Sequence, residues 1–304
     1  MTEQEILNQI EELNRKLEEV RKNKASVYSD VEIDSAEKER LHQEDLQRLR
    51  GLRLIDDDFM NACFDGYIEG AELLLRIILD KPDIRVKSVT TQRQMKNLLG
   101  RDICLDIDAD DDSGKKYNIE VQRSDKGADR KRARYHSSIL DAHLLKSGED
   151  YSDLPETFVI FITENDVIGE GLPLYKIERK ITNTGKSFDD GEHIIYVNGA
   201  YDNKDDTSDL AKLIHDFRCK KADEMVLTPF ADIMKFLKET PKGVDRMCKI
   251  MEEREEERVK NEKIIIAANL LKLGSISREE IANATGLSLE TINALAEELK
   301  GVPA

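Results

Sequence analysis

The chain has 304 residues, enough for one medium-sized domain with extensions and a full hydrophobic core. Its formal net charge of −16 has the wrong sign for a protein that depends on broad electrostatic attraction to nucleic acid, although it leaves room for a local basic groove. The four cysteines form no CxxC pair, so we expect reduced thiols rather than a zinc ribbon or a disulfide framework. The polar N-terminus and the lack of any apolar run of about 18 residues predict a cytoplasmic protein without a membrane span.

A short coiled coil is predicted at the N-terminus. Apolar residues recur there at alternating spacings of four and three between strongly charged residues, which is typical of a coiled-coil seam. These residues are Ile6, Ile10, Leu13, Leu17 and Val20. A surface helix packed on its own domain gives a similar stripe, but the charged flanks favour self-association or a helical partner. We therefore predict a helical, coiled-coil-like head over residues 1–48 and a homo-oligomer.

The middle of the chain, residues 49–240, predicts an α/β (α+β) domain. A helix over 73–79, stopped by Pro82, comes before a series of segments with strand character. The predicted strands are 84–89, 101–110, 117–122, 158–163 and 194–197, and a further helix follows over 209–217. This order is typical of a mixed central sheet flanked by helices.

Segments 101–110 and 117–122 alternate in a way that brings acidic side chains together. If the connecting turn is centred on Ser113, Asp106 lies opposite Glu120, with about 5 Å between their Cβ atoms. A register shifted by two residues places Asp108 opposite Glu120 instead. Carboxylates this close repel each other, and as hard oxygen ligands they favour Mg²⁺ or Mn²⁺ over zinc. A solvated outer face, with acids that serve solubility, gives the same alternation.

A basic stretch follows the second of these segments. Between residues 123 and 134, six basic residues face only two acidic ones, and such a patch is what phosphate binding needs. The basic residues are Arg123, Lys126, Arg130, Lys131, Arg132 and Arg134. The alternative interpretation is a set of solvated charges at the start of a helix.

The C-terminal residues 241–304 predict an all-helical tail. A long helix over 244–273 is followed by a capping-box sequence at 277–280 and by two short helices separated by Gly286. This is a helix-turn-helix outline. The second short helix carries Glu290 and Glu297, which suit phosphate groups poorly. We therefore favour a protein-interaction or dimerisation module over a DNA reader.

Several motifs, taken in order, resemble the PD-(D/E)XK nuclease family transposases, which belong with the recombination-promoting nucleases, often called Rpn. The likeness spans roughly residues 50–245. Its motifs are residues 57–60, 100–107, 114–123, 131–135, 154–162 and 189–198. The resemblance implies a restriction-endonuclease-like core, with Asp106 as the motif aspartate, Glu120 as the second acid and Gln122 in place of the usual lysine.

The resemblance also implies a cofactor and a partner. Asp106 and Glu120, with a main-chain carbonyl of the second strand, are expected to hold Mg²⁺ or Mn²⁺, and DNA is the expected substrate. Glu69 and Glu72 on the first core helix, and Asp108, are candidate additional acids. The expected function is a metal-dependent DNA endonuclease associated with mobile elements, recombination or genome defence.

Two alternative functions remain open on the sequence. A neutral amide at position 122 cannot supply the positive charge of a lysine, so a catalytically weak relative that acts by binding and assembly is one alternative. A transcriptional regulator that uses the helix-turn-helix outline is the other.

Overall fold

The computed structural model of the protein describes residues 35–97 and 100–300. The predicted coiled coil of the N-terminal head lies outside these residues. The described residues divide into two compact units, one within Leu46–Ile250 and one formed by residues 35–45 and 251–300. Within the described ranges, no helix is both long and apolar enough to cross a bilayer.

A six-stranded mixed sheet forms the centre of the larger unit. Its strands are β1 (Val86–Met95), β2 (Ile103–Asp111), β3 (Lys116–Gln122), β4 (Thr157–Thr163), β5 (Leu174–Ile177) and β6 (Glu192–Asn198). Their spatial order is β1-β2-β3-β4-β6-β5. The pairs β1–β2, β2–β3 and β5–β6 are antiparallel, whereas β3–β4 and β4–β6 are parallel.

Helices cover the sheet and form the C-terminal unit. They are α1 (Ser35–Gly51), α2 (Asp57–Phe64), α3 (Ile68–Leu79), α4 (Arg130–Leu144), α5 (Asp209–Arg218), α6 (Thr228–Glu239), α7 (Pro241–Leu273), α8 (Arg278–Thr285) and α9 (Leu289–Lys300). Helices α2 and α3 pack on β1, while α4, which connects the parallel strands β3 and β4, packs on β4 and β6. The predicted α/β class with a mixed sheet flanked by helices is confirmed.

Strand β5 and helix α6 are among the elements that were not predicted. Strand β5 has only four residues, none of them buried, so it lacks the apolar run that reveals a central strand. Helix α6 has Pro229 in its first turn, where proline is tolerated because the main-chain N–H has no helical partner there. Helix α3 begins five residues before the predicted Leu73 and ends at Asp80 in a left-handed conformation with φ of 55°.

The β2–β3 hairpin has the predicted register. Ile107 pairs with Ile119 and Asp108 pairs with Asn118, as a turn centred on Ser113 requires, so the register shifted by two residues is wrong. The acidic face of this hairpin is not a solvated outer surface. Asn118 and Glu120 have no exposed area and Asp108 is 6% exposed. Buried polar side chains need partners, so the interpretation as solubility decoration is also wrong for this face.

The C-terminal helices α7, α8 and α9 have a small core of their own and show the predicted local structure. Ser277 accepts from the main-chain N–H of Glu280, whose carboxylate accepts in return from the N–H of Ser277, so the capping box forms. Gly286 ends α8 with φ of 67°. Buried side chains from α7, α8 and α9 pack together, among them Ala267, Ile281 and Ile292.

Candidate functional site

Strands β2 and β3 hold two carboxylates against each other. The main-chain N–H of Asp106 donates to Oε1 of Glu120 at 3.3 Å, and the N–H of Val121 donates to Oδ2 of Asp106 at 3.0 Å. The regular β2–β3 pairs end at Ile107 and Ile119. Beyond them, main-chain donors of the two strands bind carboxylates, which fixes both acids where the strands end their pairing.

This pair of acids carries an excess of negative charge. Burial raises the pKa of Asp106 to about 7, and the negative charges of Glu120 and Asp57 act in the same direction. The hydrogen bond from Val121 and the positive charge of Arg132 oppose this shift. The donor set consists of carboxylate oxygens, which are the ligands of Mg²⁺ and Mn²⁺. A divalent cation therefore fits the site both chemically and electrostatically.

The other acids on the same face of β2 already have cations. Asp108 forms an ion pair with Arg93 of β1, and Asp110 forms one with Lys116 of β3. Each of these acids has a cation of its own, whereas Asp106 and Glu120 share the charge of Arg132. The geometry thus distinguishes Asp106 from Asp108, a choice that residue spacing alone left open.

Gln92 of β1 contacts Asp106 from the opposite side. Its Nε2 donates to Oδ1 of Asp106 at 3.2 Å and to Oδ1 of Asn61 at 3.1 Å. Gln92 has a φ of 54°, a conformation that costs a non-glycine residue about 1–3 kcal/mol. No sequence pattern indicates this irregularity, so Gln92 was missed as a site residue. Asn61 is 6% exposed and its Nδ2 has no hydrogen-bond partner.

The additional acid expected from α3 is not in contact with the pair. Glu69 is exposed, and Glu72 accepts the main-chain N–H of Val86 at 2.9 Å. No hydrogen bond or ion pair within the described ranges joins either residue to Asp106. The helical acid whose charge acts on Asp106 is Asp57, at the start of α2. Its motif, residues 57–60, was the sequence signal for it.

Gln122 and Arg132 lie together beside Glu120. Nη2 of Arg132 is 3.0 Å from Oε2 of Glu120, and Nη1 donates to Oε1 of Gln122 at 3.2 Å. The same Nη1 donates to the carbonyl of Gly127 at 2.8 Å. A Cβ atom at position 127 would lie 2.0 Å from Oε1 of Gln122, so this approach requires glycine. Arg132 therefore faces the carboxylates, whereas the sequence analysis placed it among the phosphate contacts.

The remaining basic residues divide into two groups. Arg123 pairs with Asp56 at 3.1 Å and with Glu164 at 3.4 Å, so its charge is already engaged. Exposed basic residues near the start of α4 are free to meet solvent; they are Arg130, Lys131 and Arg134. The side chain of Lys126 lies outside the described part of the molecule. Of the six basic residues expected to contact phosphate, three described side chains therefore remain available, and all three lie on one helix.

A second cluster of potential metal ligands lies away from the hairpin. Ligand atoms of His215, Asp216 and Cys219 lie within 4.8 Å of one another. Asp216, however, accepts the main-chain N–H groups of Val226 at 2.9 Å and Leu227 at 2.7 Å. These bonds fix the loop that leads into α6. We assign this cluster to the structure of the loop.

One family model matches the chain. It is described as PD-(D/E)XK nuclease family transposase, and it covers residues 72–263, more than half of the sequence. The matched range contains Asp106, Glu120 and Gln122. No curated protein and no solved structure matches the chain.

Proposed function

The chain belongs to the PD-(D/E)XK nuclease family transposases, and we propose that it is a metal-dependent endonuclease that hydrolyses the phosphodiester bonds of DNA. The observation that carries this proposal is the pair of carboxylates of Asp106 and Glu120, which the main-chain donors of β2 and β3 fix against each other. Glu120 is fully buried and Asp106 is partly exposed, and the positive charge of Arg132 does not balance both. The mobile-element, recombination or defence role expected from the family belongs to the same proposal.

Asp106 and Glu120 are the proposed ligands of Mg²⁺ or Mn²⁺. When bound, such an ion lowers the pKa of water and neutralises charge on the scissile phosphate. The oxygen donor set and the unbalanced negative charge support this assignment. Asp57 is the proposed additional acid in place of Glu69 and Glu72, because its charge reaches Asp106.

The side chains around the pair have separate tasks in the proposed reaction. The amide of Gln122, held by Arg132, orients the attacking water next to Glu120. Gln92 holds Asp106 in place through the hydrogen bond from its Nε2. Water adds to phosphorus, the bond from phosphorus to one ester oxygen breaks, and the proton released by water reaches the leaving oxygen through solvent. The products are a phosphomonoester and an alcohol.

The exposed residues Arg130, Lys131 and Arg134 are the proposed phosphate contacts. They lie at the start of α4, where the helix dipole also favours an anion. Asp129 caps this end through the main-chain N–H of Lys131 at 2.7 Å and reduces that attraction. Because the whole chain carries a net charge of −16, we expect DNA binding that is weak and sensitive to salt.

A plasmid-nicking assay tests the proposal. Purified protein in Mg²⁺ or Mn²⁺ is expected to convert supercoiled DNA to nicked and linear forms, and Asp106→Ala and Glu120→Ala are expected to abolish this conversion. Cutting that persists unchanged in both variants would rule out the assigned site. Inactivity of wild-type protein that still binds DNA would favour the alternative, a nuclease-fold protein that acts by binding and assembly.

The C-terminal helices suit a contact with protein better than a contact with DNA. Glu290 and Glu297 are exposed on α9, where a recognition helix needs positive charge. We therefore propose that the head and the C-terminal helices mediate self-association. This role suits the acidic helices better than transcriptional regulation by DNA binding does. Light scattering on the full chain, compared with a chain that lacks residues 1–34, measures this contribution.

A further inference from the structure

Position 122 lacks the positive charge that the family pattern places there. The guanidinium of Arg132 lies next to this position, 3.0 Å from Oε2 of Glu120 and 3.2 Å from Oε1 of Gln122. It comes from α4, ten residues further along the chain, and not from β3. A cation therefore stands beside the second acid although the motif itself supplies none.

Arg132 is held in this position from several directions. The carbonyl of Gly127 accepts from Nη1 at 2.8 Å, and Nε2 of His136 accepts from Nε at 3.2 Å. Nδ1 of the same imidazole lies 3.5 Å from Oε1 of Glu120 and 3.2 Å from Nδ2 of Asn118. The guanidinium carbon also lies 6.0 Å from the centre of the Phe161 ring. A side chain with this many fixed partners is preorganised, as an electrostatic catalyst must be.

We propose that Arg132 supplies to the active site the positive charge that the missing lysine supplies in the family pattern. This inference rests on the proposed nuclease function. A guanidinium stays protonated in proteins, so Arg132 transfers no proton. It stabilises the negative charge that grows on the phosphate oxygens during attack, and it holds the Gln122 amide that orients the water. Gln122 and Arg132 together thus replace one lysine, with orientation and charge divided between them.

A charge-relocation experiment in the full-length protein tests the proposal. The variants are Arg132→Met, Arg132→Lys, Gln122→Lys and the double variant Gln122→Lys with Arg132→Met. Lys186→Met is the control, because it removes one positive charge from an exposed position that takes no part in the proposed site. Three quantities are measured: the single-turnover nicking rate, the affinity for Mn²⁺ without DNA by calorimetry, and the affinity for DNA in Ca²⁺.

Arg132→Met is expected to lower the nicking rate about 100-fold or more, the typical loss when one preorganised electrostatic group is removed. It is also expected to tighten Mn²⁺ binding about tenfold, because a positive charge leaves Glu120. The double variant is expected to regain most of the rate and to return the Mn²⁺ affinity towards the wild-type value. Arg132→Lys keeps the charge and is expected to keep the Mn²⁺ affinity, which provides a result even where Arg132→Met folds poorly.

The control separates charge at the site from the net charge of the whole chain. Lys186→Met is expected to leave the nicking rate, the Mn²⁺ affinity and DNA binding in Ca²⁺ unchanged. An Arg132→Met variant with the wild-type rate and the wild-type Mn²⁺ affinity would overturn the proposal, as would a folded double variant that recovers neither quantity. If no variant cuts DNA, wild type included, the proposed nuclease function fails, and the Mn²⁺ affinities still decide whether Arg132 acts on the acids.

Discussion

The carboxylate of Glu120 accepts the main-chain N–H of Asp106, the residue directly across the hairpin, at 3.3 Å. Together with the bond from the N–H of Val121 to Asp106, it ties both carboxylates to main-chain groups of the sheet, in addition to the side chains of Gln92 and Arg132. Their separation is therefore set by the sheet, which is the kind of rigid support that a metal site requires.

Asp106→Asn and Glu120→Gln are expected to weaken Mn²⁺ binding and to lower the nicking rate by at least about 100-fold, because metal catalysis contributes several kcal/mol. Both substitutions keep the size of the side chain. Calorimetry with Mn²⁺ and nicking of plasmid DNA measure the two effects. Asp110→Asn is the control on the same face of β2, and it is expected to change either quantity by less than about fivefold. Equal losses in all three variants would contradict the assignment.

The stability of the metal-free protein is expected to fall as the pH rises from about 4 to about 7. Asp106 has a pKa of about 7 in the folded protein, against a usual value near 4 in an unfolded chain. Between these two values the folded state binds more protons than the unfolded state, so raising the pH favours unfolding. Urea unfolding in EDTA at several pH values measures this dependence, which is at most about 1.4 kcal/mol per pH unit for one group.

Asp106→Asn isolates this contribution, since other carboxylates titrate in the same range. The unfolding free energy of wild type minus that of the variant is expected to fall as the pH rises. Mn²⁺ is expected to remove this dependence on pH. Parallel curves for the two proteins in EDTA would show that Asp106 keeps an ordinary pKa.

Gly127→Ala is expected to displace the side chain of Gln122 and to slow nicking about tenfold to 100-fold, the cost of a catalytic group moved by about 1 Å. The backbone of Gly127 has no positive φ, so the unfolding free energy is expected to change by less than about 1 kcal/mol. Gly51→Ala, where an added Cβ meets nothing within 4 Å, is the control. In a Gln122→Ala background, Gly127→Ala is expected to have little further effect; a full additional loss there would point to a different cause.

Lys131→Met is expected to weaken DNA binding and to reduce the slope of log Kd against log salt concentration by about 1, as the loss of one phosphate contact does. The exposed Lys186, in the loop that follows β5, gives a control variant with the same change of charge. Fluorescence anisotropy in Ca²⁺ over a range of salt concentrations compares the two. Identical slopes for Lys131→Met and Lys186→Met would mean that α4 makes no specific phosphate contact.

The sequence predicts the hairpin well because alternation and turn chemistry are local. The observed register is the one that a turn centred on Ser113 predicts, although the sequence also allowed a register shifted by two residues. The rest of the site comes from segments distant in sequence. Arg132 was assigned to phosphate because its charge is visible in the sequence while its direction depends on how α4 packs. Gln92 was missed because a single residue with positive φ leaves no periodic signal.

The left-handed backbone of Gln92 predicts a conflict between stability and activity. Glycine adopts this conformation without strain, so Gln92→Gly removes a cost of about 1–3 kcal/mol at that position, partly offset by the greater freedom of the unfolded chain. The same change removes the amide that holds Asp106. A chain selected only for thermal resistance would be expected to lose this glutamine, whereas a chain selected for cutting would keep it. Gln92→Gly is expected to raise the denaturation midpoint and to lower the nicking rate. That result would show that the requirement for activity has kept glutamine at this position of β1.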